Sequence, residues 1–284
     1  MKLPAFDYAA PQTLAEAIDL LAAHEDALPL AGGQSLIPIL AFRLAAPSLL
    51  VDLRRIQDLD AIAISERGVC LGAKVRWCDI EADRRLAVAH PLLADAVNYI
   101  AHYPIRSRGT VGGSLAHADT AAELPGVAVT CDAEITAVGR NGTRIIAAGD
   151  FFTGPMMNAL AHDELVTELR LPPWPPARRW AFEEFARQHG AFALAGIALY
   201  YDLIDGVATN AHIGVIGASA QLQRITQAEA VLNGRAVDEA NILKTAGVAA
   251  DAIDAAEDID APAAYRRSLV ATLTARALRR AAAR

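Results

Sequence analysis

From Thr13 to His24 the apolar positions Leu14, Ala17, Ile18 and Leu21 recur at helical spacing, and Thr13 with Glu16 forms a capping-box pattern. This predicts an amphipathic helix over residues 13–24. The short apolar run "ALPLA" follows, then the glycine pair Gly32-Gly33, then a second apolar run from Ser35 to Phe42, then "LLVDL". That order reads as a small β-α-β unit whose glycine pair sits on a strand-to-helix turn. Residues 68–75 have strand character, and residues 79–103 read as helices interrupted at His90-Pro91. A second glycine turn, "RGTVGGSLAHAD", occupies residues 108–119.

Beyond it, "CDAEITAVG" and "GTRIIAAG" are two strands joined at Asn141-Gly142, a hairpin signal. One more strand precedes the proline-rich stretch from Pro172 to Pro176, the best candidate for a domain boundary. A strand pair then turns at Asp205-Gly206, and the remainder to Arg284 is alanine-rich and reads as helical. The pattern predicts two domains, residues 1–175 and 176–284, the first with subdomains of about 1–55 and 56–175.

The composition fits this division. A chain of 284 residues with 54% hydrophobic content can bury two cores. Asp7, Glu16 and Asp19 interrupt the N-terminal apolar positions, and no uncharged run reaches the length of a membrane span, so we expect a cytoplasmic protein without one. A net charge of −7 argues against a nucleic-acid partner. The arginines cluster only at Arg276, Arg279, Arg280 and Arg284, more in keeping with a solvated helix face or a partner contact. Cys70, Cys78 and Cys131 are too few and too scattered for a disulfide framework, a zinc site or an iron–sulfur cluster.

Candidate chemistry concentrates at the two glycine turns. A diphosphate bound without a metal needs several converging backbone N–H groups, and glycine lets the main chain approach closely at positive φ. Ser35, Thr110 and Ser114 add hydroxyls. The only lysines are Lys2, Lys74 and Lys244, so neither turn is a P-loop, and no GxGxxG is present. On the residues alone, the turns are either a phosphate grip or tight connections; His117, Asp119 and Glu123 either meet a nucleotide edge or are loop and cap residues. No HExxH, GxSxG or nucleophile–base pair appears, so no residue is assigned a catalytic role and none a metal.

The stretches "AGGQSLIPIL" and "RGTVGGSLAHADTAAELP", with "FDY" near the start, "LLVDLRRI", "GDFF", "ARQHGAFALAG" and "YRRSLVATLTARAL", together resemble the FAD-binding medium subunits of the molybdenum hydroxylases, as in aerobic carbon monoxide dehydrogenase, and the flavin domain of xanthine dehydrogenase. The resemblance covers essentially the whole chain. It implies an α+β fold: a two-subdomain FAD-binding domain of the vanillyl-alcohol-oxidase/PCMH type, then a smaller C-terminal domain of antiparallel sheet and helices. It also implies FAD held mainly by Leu30, Ala31, Gly32, Gly33, Gln34, Ser35 and Leu36 in the first turn. In the second, it implies Thr110, Val111, Gly112, Gly113 and Ser114, followed by Ala118 and Asp119. By the same resemblance Glu123 contacts the nucleotide, Ile100 and Val166 line the cofactor, and Phe192 approaches the isoalloxazine. The family pattern Gly-Asp-Phe/Tyr-Ala is here Gly190-Ala191-Phe192-Ala193, and Ala191 cannot accept a hydrogen bond.

The implied function is electron transfer within a heteromeric enzyme. A large subunit would carry a molybdenum–pterin cofactor and a small one two [2Fe–2S] clusters, in a dimer of heterotrimers. This chain would pass electrons to an external acceptor. Two other readings stand beside it. One is a self-sufficient flavin oxidoreductase, for which His102, Tyr103 and His189 are the available acids and bases. The other is a flavin-less docking subunit, which intact glycines in both turns disfavour.

Overall fold

A computed structural model describes residues 2–284, built on three main sheets of different character and a two-stranded ribbon of Phe152–Gly154 and Met157–Asn158. In the first, Leu49–Asp52 lies between Asp7–Ala9 and Leu28–Leu30 and is parallel to both. The helix Leu14–Ala23 makes the return crossing, and its capping box is present as read: the Glu16 N–H donates to Thr13 Oγ1 at 3.2 Å and the Glu16 carboxylate accepts from the Thr13 amide. Ala17, Ile18 and Leu21 pack on Leu49 and Val51, so the apolar stripe of the helix covers this small sheet.

The second sheet is antiparallel, in the order Ile62–Ser65, Gly68–Gly72, Leu165–Leu171, Glu134–Gly139, Gly142–Ala147. Its last two strands close at Gly139 and Gly142, around the predicted Asn141-Gly142 turn. Over it pack Pro91–Ala96, Val111–His117 and Glu123–Thr130, burying Leu92, Leu93, Leu115 and Val127 with Leu71, Ile135 and Leu169. The helical stretch predicted over 79–103 is more fragmented than its periodicity suggested. Trp77–Ala82 and Leu86–Ala89 are separate helices, because Asp83 accepts a hydrogen bond from the Arg85 amide in a local turn; the predicted break at His90-Pro91 follows. The strand expected over 68–75 ends at Gly72.

The third sheet runs Arg178–Ala186, Ala193–Ile204, Val207–Ile216, Gln223–Arg224, with Arg235–Ala236 beside Val207–Ala208. These last two short strands fall where only helix was expected; they extend the sheet edge by two residues each. The helices Glu239–Ala252 and Ala263–Ala282 cover one face, onto which Ala195, Ile197, Leu199 and Tyr201 point. The alternate residues Ala198 and Tyr200, with Phe182 and Ile216, join the core of the second sheet instead. Burial on both faces explains why Ala193–Tyr201 is a continuous apolar run rather than an alternating one. The third sheet is thereby packed onto the helix Glu123–Thr130.

Candidate functional site

The first turn begins where Leu28–Leu30 leaves the parallel sheet and ends at the short helix Leu36–Ala41. Gly33 has φ +73°, a left-handed conformation that a β-branched residue resists, and a Cβ there would crowd Ile37 and Leu30. The consequence is chemical. The amides of Gly32, Gly33, Gln34, Ser35 and Leu36 donate to no acceptor among the described residues. Consecutive unpaired N–H groups in a turn of this kind form a concavity suited to an anion, since an amide left without any partner costs free energy.

The second turn is organised differently. Thr110 caps the helix Val111–His117, its Oγ1 accepting from the Gly113 amide at 3.1 Å. The Val111 and Gly112 amides donate to the carbonyls of Val75 and Ala73, at 2.9 and 2.8 Å. Gly112 is completely walled in, with a Cβ position 2.6 Å from the Ala73 methyl. Both glycine amides of the second turn are therefore already paired, Gly112 with the Ala73 carbonyl and Gly113 with the capping Thr110 hydroxyl. What this turn offers a ligand is the Thr110 amide and the hydroxyls of Thr110 and Ser114, none of which donates to an acceptor among the described residues. The sequence treats the two turns alike, whereas their unpaired backbone donors lie mainly in the first.

The turns touch. Gly32 lies against the carbonyl of Arg108, and the Cβ position of Gly113 is 3.7 Å from Ala31. After the second turn, Ala118 takes a left-handed conformation, and Asp119 Oδ1 accepts from the Ala121 amide at 2.9 Å. This bend starts the helix Glu123–Thr130 and sets Glu123 at its first position. Burial pushes the Glu123 carboxyl up to about 7, with Asp119 contributing.

Ile100 and Val166 are buried in the core of the second sheet, at 8% and 6% exposure. Phe192 is 73% exposed, which removes the alternative that it is a core residue of the strand pair. It lines a groove with Asp119, at the end of the second turn's segment, and with Ala121, Leu194 and Arg266. His102 and His189 meet edge-on, with ring centroids 5.6 Å apart, and Tyr103 is largely exposed. No cluster of metal-ligating side chains occurs among the described residues.

Two residues escaped the sequence reading. Arg266, 3% exposed, donates to the carbonyls of Leu194 and Gly217 and pairs with Asp258 at 2.6 Å. The Gly217 amide in turn donates to the Thr120 carbonyl, so Arg266 fixes the groove beside Phe192. Glu184 lies in the same layer; burial and the nearby Glu123 push its carboxyl up to about 9. Arg266 falls in the quoted "YRRSLV", but nothing local marks it as buried, and Glu184 reads as an ordinary polar position of a strand.

Known proteins share this fold over the whole chain. A family model described as the FAD binding domain in molybdopterin dehydrogenase matches residues 4–174, and the CO dehydrogenase flavoprotein C-terminal domain matches residues 180–281. The nicotine 6-hydroxylase medium subunit of Paenarthrobacter nicotinovorans is 38% identical over 284 residues, spanning 100% of both chains. Among solved structures, the reconstituted CO dehydrogenase from Oligotropha carboxidovorans superposes with a TM-score of 0.97 at 35% identity, covering 100% of each chain. Quinoline 2-oxidoreductase from Pseudomonas putida 86 superposes with a TM-score of 0.95 at 36% identity, covering 100% of this chain and 99% of that one.

Proposed function

The chain belongs to the FAD-binding medium subunits of the molybdenum hydroxylases, and we propose that it holds its cofactor through the unpaired amides of Gly32 to Leu36. It is the flavoprotein subunit of a heteromeric oxidoreductase, relaying electrons from an iron–sulfur subunit to an external acceptor. Its cofactor is FAD; the molybdenum–pterin cofactor and the iron–sulfur clusters belong to partner subunits. The self-sufficient oxidoreductase and the flavin-less docking subunit are not favoured.

The fit to FAD rests on the donor set. The consecutive amides after Leu30 and the Thr110 amide and hydroxyl opposite them suit a pyrophosphate that brings no metal with it. We assign Leu30 to Leu36 and Thr110 to Ser114 to this contact, with Val111, Gly112 and Gly113 shaping the second wall. Ala118, Asp119 and Glu123 border the nucleotide beyond it. Ile100 and Val166 supply apolar lining, and Phe192 stands at the exposed edge beside the isoalloxazine. When bound, FAD supplies the electron-accepting and electron-donating chemistry, so the protein need only bind, orient and limit access by water. That division of labour accounts for a site without an acid–base dyad.

We place the domain boundary after residue 175, with subdomains of about 1–55 and 56–175 in the first domain. The chain works beside one large and one small partner, and a dimer of such heterotrimers, located in the cytoplasm, is the assembly we propose. No helix among the described residues is long and apolar enough to cross a membrane. The substrate oxidised at the molybdenum centre is selected by the large subunit, and the relatives' substrates differ among themselves. The observation that carries the reading is the row of unpaired amides. Its test is stoichiometric FAD in the purified chain, released by substitution within that row.

A further inference from the structure

Two strands of the third sheet end beside the groove that Phe192 lines, and each end leaves a carbonyl outside the regular pairing. Leu194 is skipped by the register, since Phe185 pairs with Ala195 and Ala186 with Ala193; Gly217 lies one residue past the last pair, Ile216 with Gly196. Arg266, near the start of the helix Ala263–Ala282, reaches both. Its Nη1 donates to the Leu194 carbonyl at 2.7 Å and to the Gly217 carbonyl at 2.9 Å. Its Nη2 donates to Asp258 Oδ2 at 2.6 Å, and Asp258 Oδ1 is itself held by the Asp260 and Ala261 amides at 2.9 and 3.0 Å.

Only a guanidinium meets this demand. Two carbonyls on different strands and a carboxylate on the loop before the helix need several N–H groups fixed in one plane, which an ammonium on a flexible stem does not supply. A buried carbonyl without a donor is costly, so the spacing of Leu194 and Gly217 is tied to Arg266. The helix does not need Arg266 in order to dock. Leu269, Val270, Leu273 and Leu278 bury its apolar face with Ile197 and Leu199 of the third sheet. The buried cation therefore serves the strand ends rather than helix packing.

The consequence appears on the other side of Gly217. Its amide donates to the Thr120 carbonyl at 2.8 Å, outside the third sheet. Thr120 stands between Asp119 and Ala121, inside the bend that Asp119 Oδ1 closes by accepting from the Ala121 amide. Asp258, Arg266, Gly217 and Thr120 form one unbroken relay of hydrogen bonds from the C-terminal helix to the segment that follows the second glycine turn.

We propose that Arg266 is a positioning residue for the cofactor site: by fixing Gly217 it delivers that amide to Thr120, and so makes the C-terminal domain a part of FAD retention. The proposal rests on the reading that Asp119 borders the nucleotide. The C-terminal domain acts here by holding the Asp119–Ala121 bend in one conformation before the ligand arrives, so that binding orders less of the chain. Without Arg266, Leu194 and Gly217 lose their common donor, the Gly217 amide is no longer held at Thr120, and the ligand must order the bend itself.

Exchange of the Gly217 amide in the flavin-free full chain, and dissociation of FAD from the loaded one, test this together. In Arg266→Lys both should be roughly tenfold faster or more than in wild type, the scale of lost hydrogen bonds to a charged group. Leu278→Ala, which opens a cavity under the same helix away from the relay, should lower Tm and leave both rates close to wild type. If R266K does not fold, Asp258→Asn decides: it keeps Arg266 but removes its anchoring charge, and should move both rates in the same direction by a smaller factor. Unchanged Gly217 exchange in the folded variant, or faster exchange with wild-type FAD dissociation, overturns the proposal while FAD binding stands. If the amide resonances of residues 119–121 in wild type do not move on addition of FAD, the reading that this bend borders the nucleotide fails, and the proposal with it.

Discussion

Gly32 and the carbonyl of Arg108 meet so closely that a Cβ on Gly32 would overlap the oxygen. The turn that carries the unpaired amides is thereby seated on the turn that carries Thr110. Two segments far apart in sequence become one rigid rim, and amides that face a ligand are pre-positioned rather than ordered on binding, which reduces the entropy cost of holding it.

The glycines of this rim separate into two classes that substitution should distinguish. Gly33→Val forces a β-branched residue into φ +73°, a strain of about 1–3 kcal/mol confined to a partly exposed turn. It should weaken FAD retention at least tenfold while the chain still unfolds cooperatively. Gly112→Val drives its side chain into Ala73 in the buried core, an overpacking cost of about 1–3 kcal/mol or more. There a lower Tm should be the primary effect, with flavin loss following from it. Flavin content and thermal unfolding of the two variants, measured together, check the distinction; equal Tm losses in both would contradict it.

This division was not legible in the sequence, where Gly32-Gly33 and Gly112-Gly113 look alike. The partner of the Gly112 amide is the Ala73 carbonyl, and only the tertiary fold brings Ala73 beneath the second turn. Local signals fared better. The Thr13–Glu16 box and the Asn141-Gly142 turn depend on residues within one or two turns of each other, and both appear where they were read. Asp83 broke a helix that periodicity alone carried through, because its carboxylate bonds the backbone two residues on. Glu184 was invisible for the opposite reason. Its row neighbour Gly196 and the helix end at Glu123 determine its burial, and neither is near it in the chain.

Phe192 provides a test of where the isoalloxazine lies. At 73% exposure its ring stabilises the fold little, so Phe192→Ala should change stability by no more than about 0.5 kcal/mol. If it stands at the flavin's edge, the variant should retain FAD but show a shifted visible spectrum and a several-fold change in reoxidation by dioxygen. A variant with the wild-type spectrum and reoxidation rate removes Phe192 from the site.

His90 gives the fold a specific acid sensitivity. It is 0% exposed and packed against Trp174 with ring centroids 4.6 Å apart; its Nδ1 accepts from the Leu93 amide and its Nε2 has no partner among the described residues. Burial, with Arg178 adding to it, holds its pKa down to about 3. The unfolded chain binds the proton from about pH 6.5 downward and the folded chain does not. The neutral ring's contribution is therefore complete above pH 6.5 and declines as pH falls towards 3, on the order of 1 kcal/mol per pH unit. His90→Asn, which keeps a helix-capping acceptor, should flatten this part of the stability profile in denaturant titrations at pH 4 to 7. An unchanged slope would contradict the assignment.

The central claim, that FAD is held by the first turn's amides, is tested most directly by backbone hydrogen exchange with and without FAD. The amides of Gly32, Gly33, Gln34, Ser35 and Leu36 donate to no acceptor among the described residues, whereas those of Gly112 and Gly113 already bond to the Ala73 carbonyl and the Thr110 hydroxyl. Addition of FAD should therefore slow exchange across residues 32–36 markedly and change Gly112 and Gly113 little. Unaltered exchange at 32–36 in a chain saturated with FAD would contradict the account.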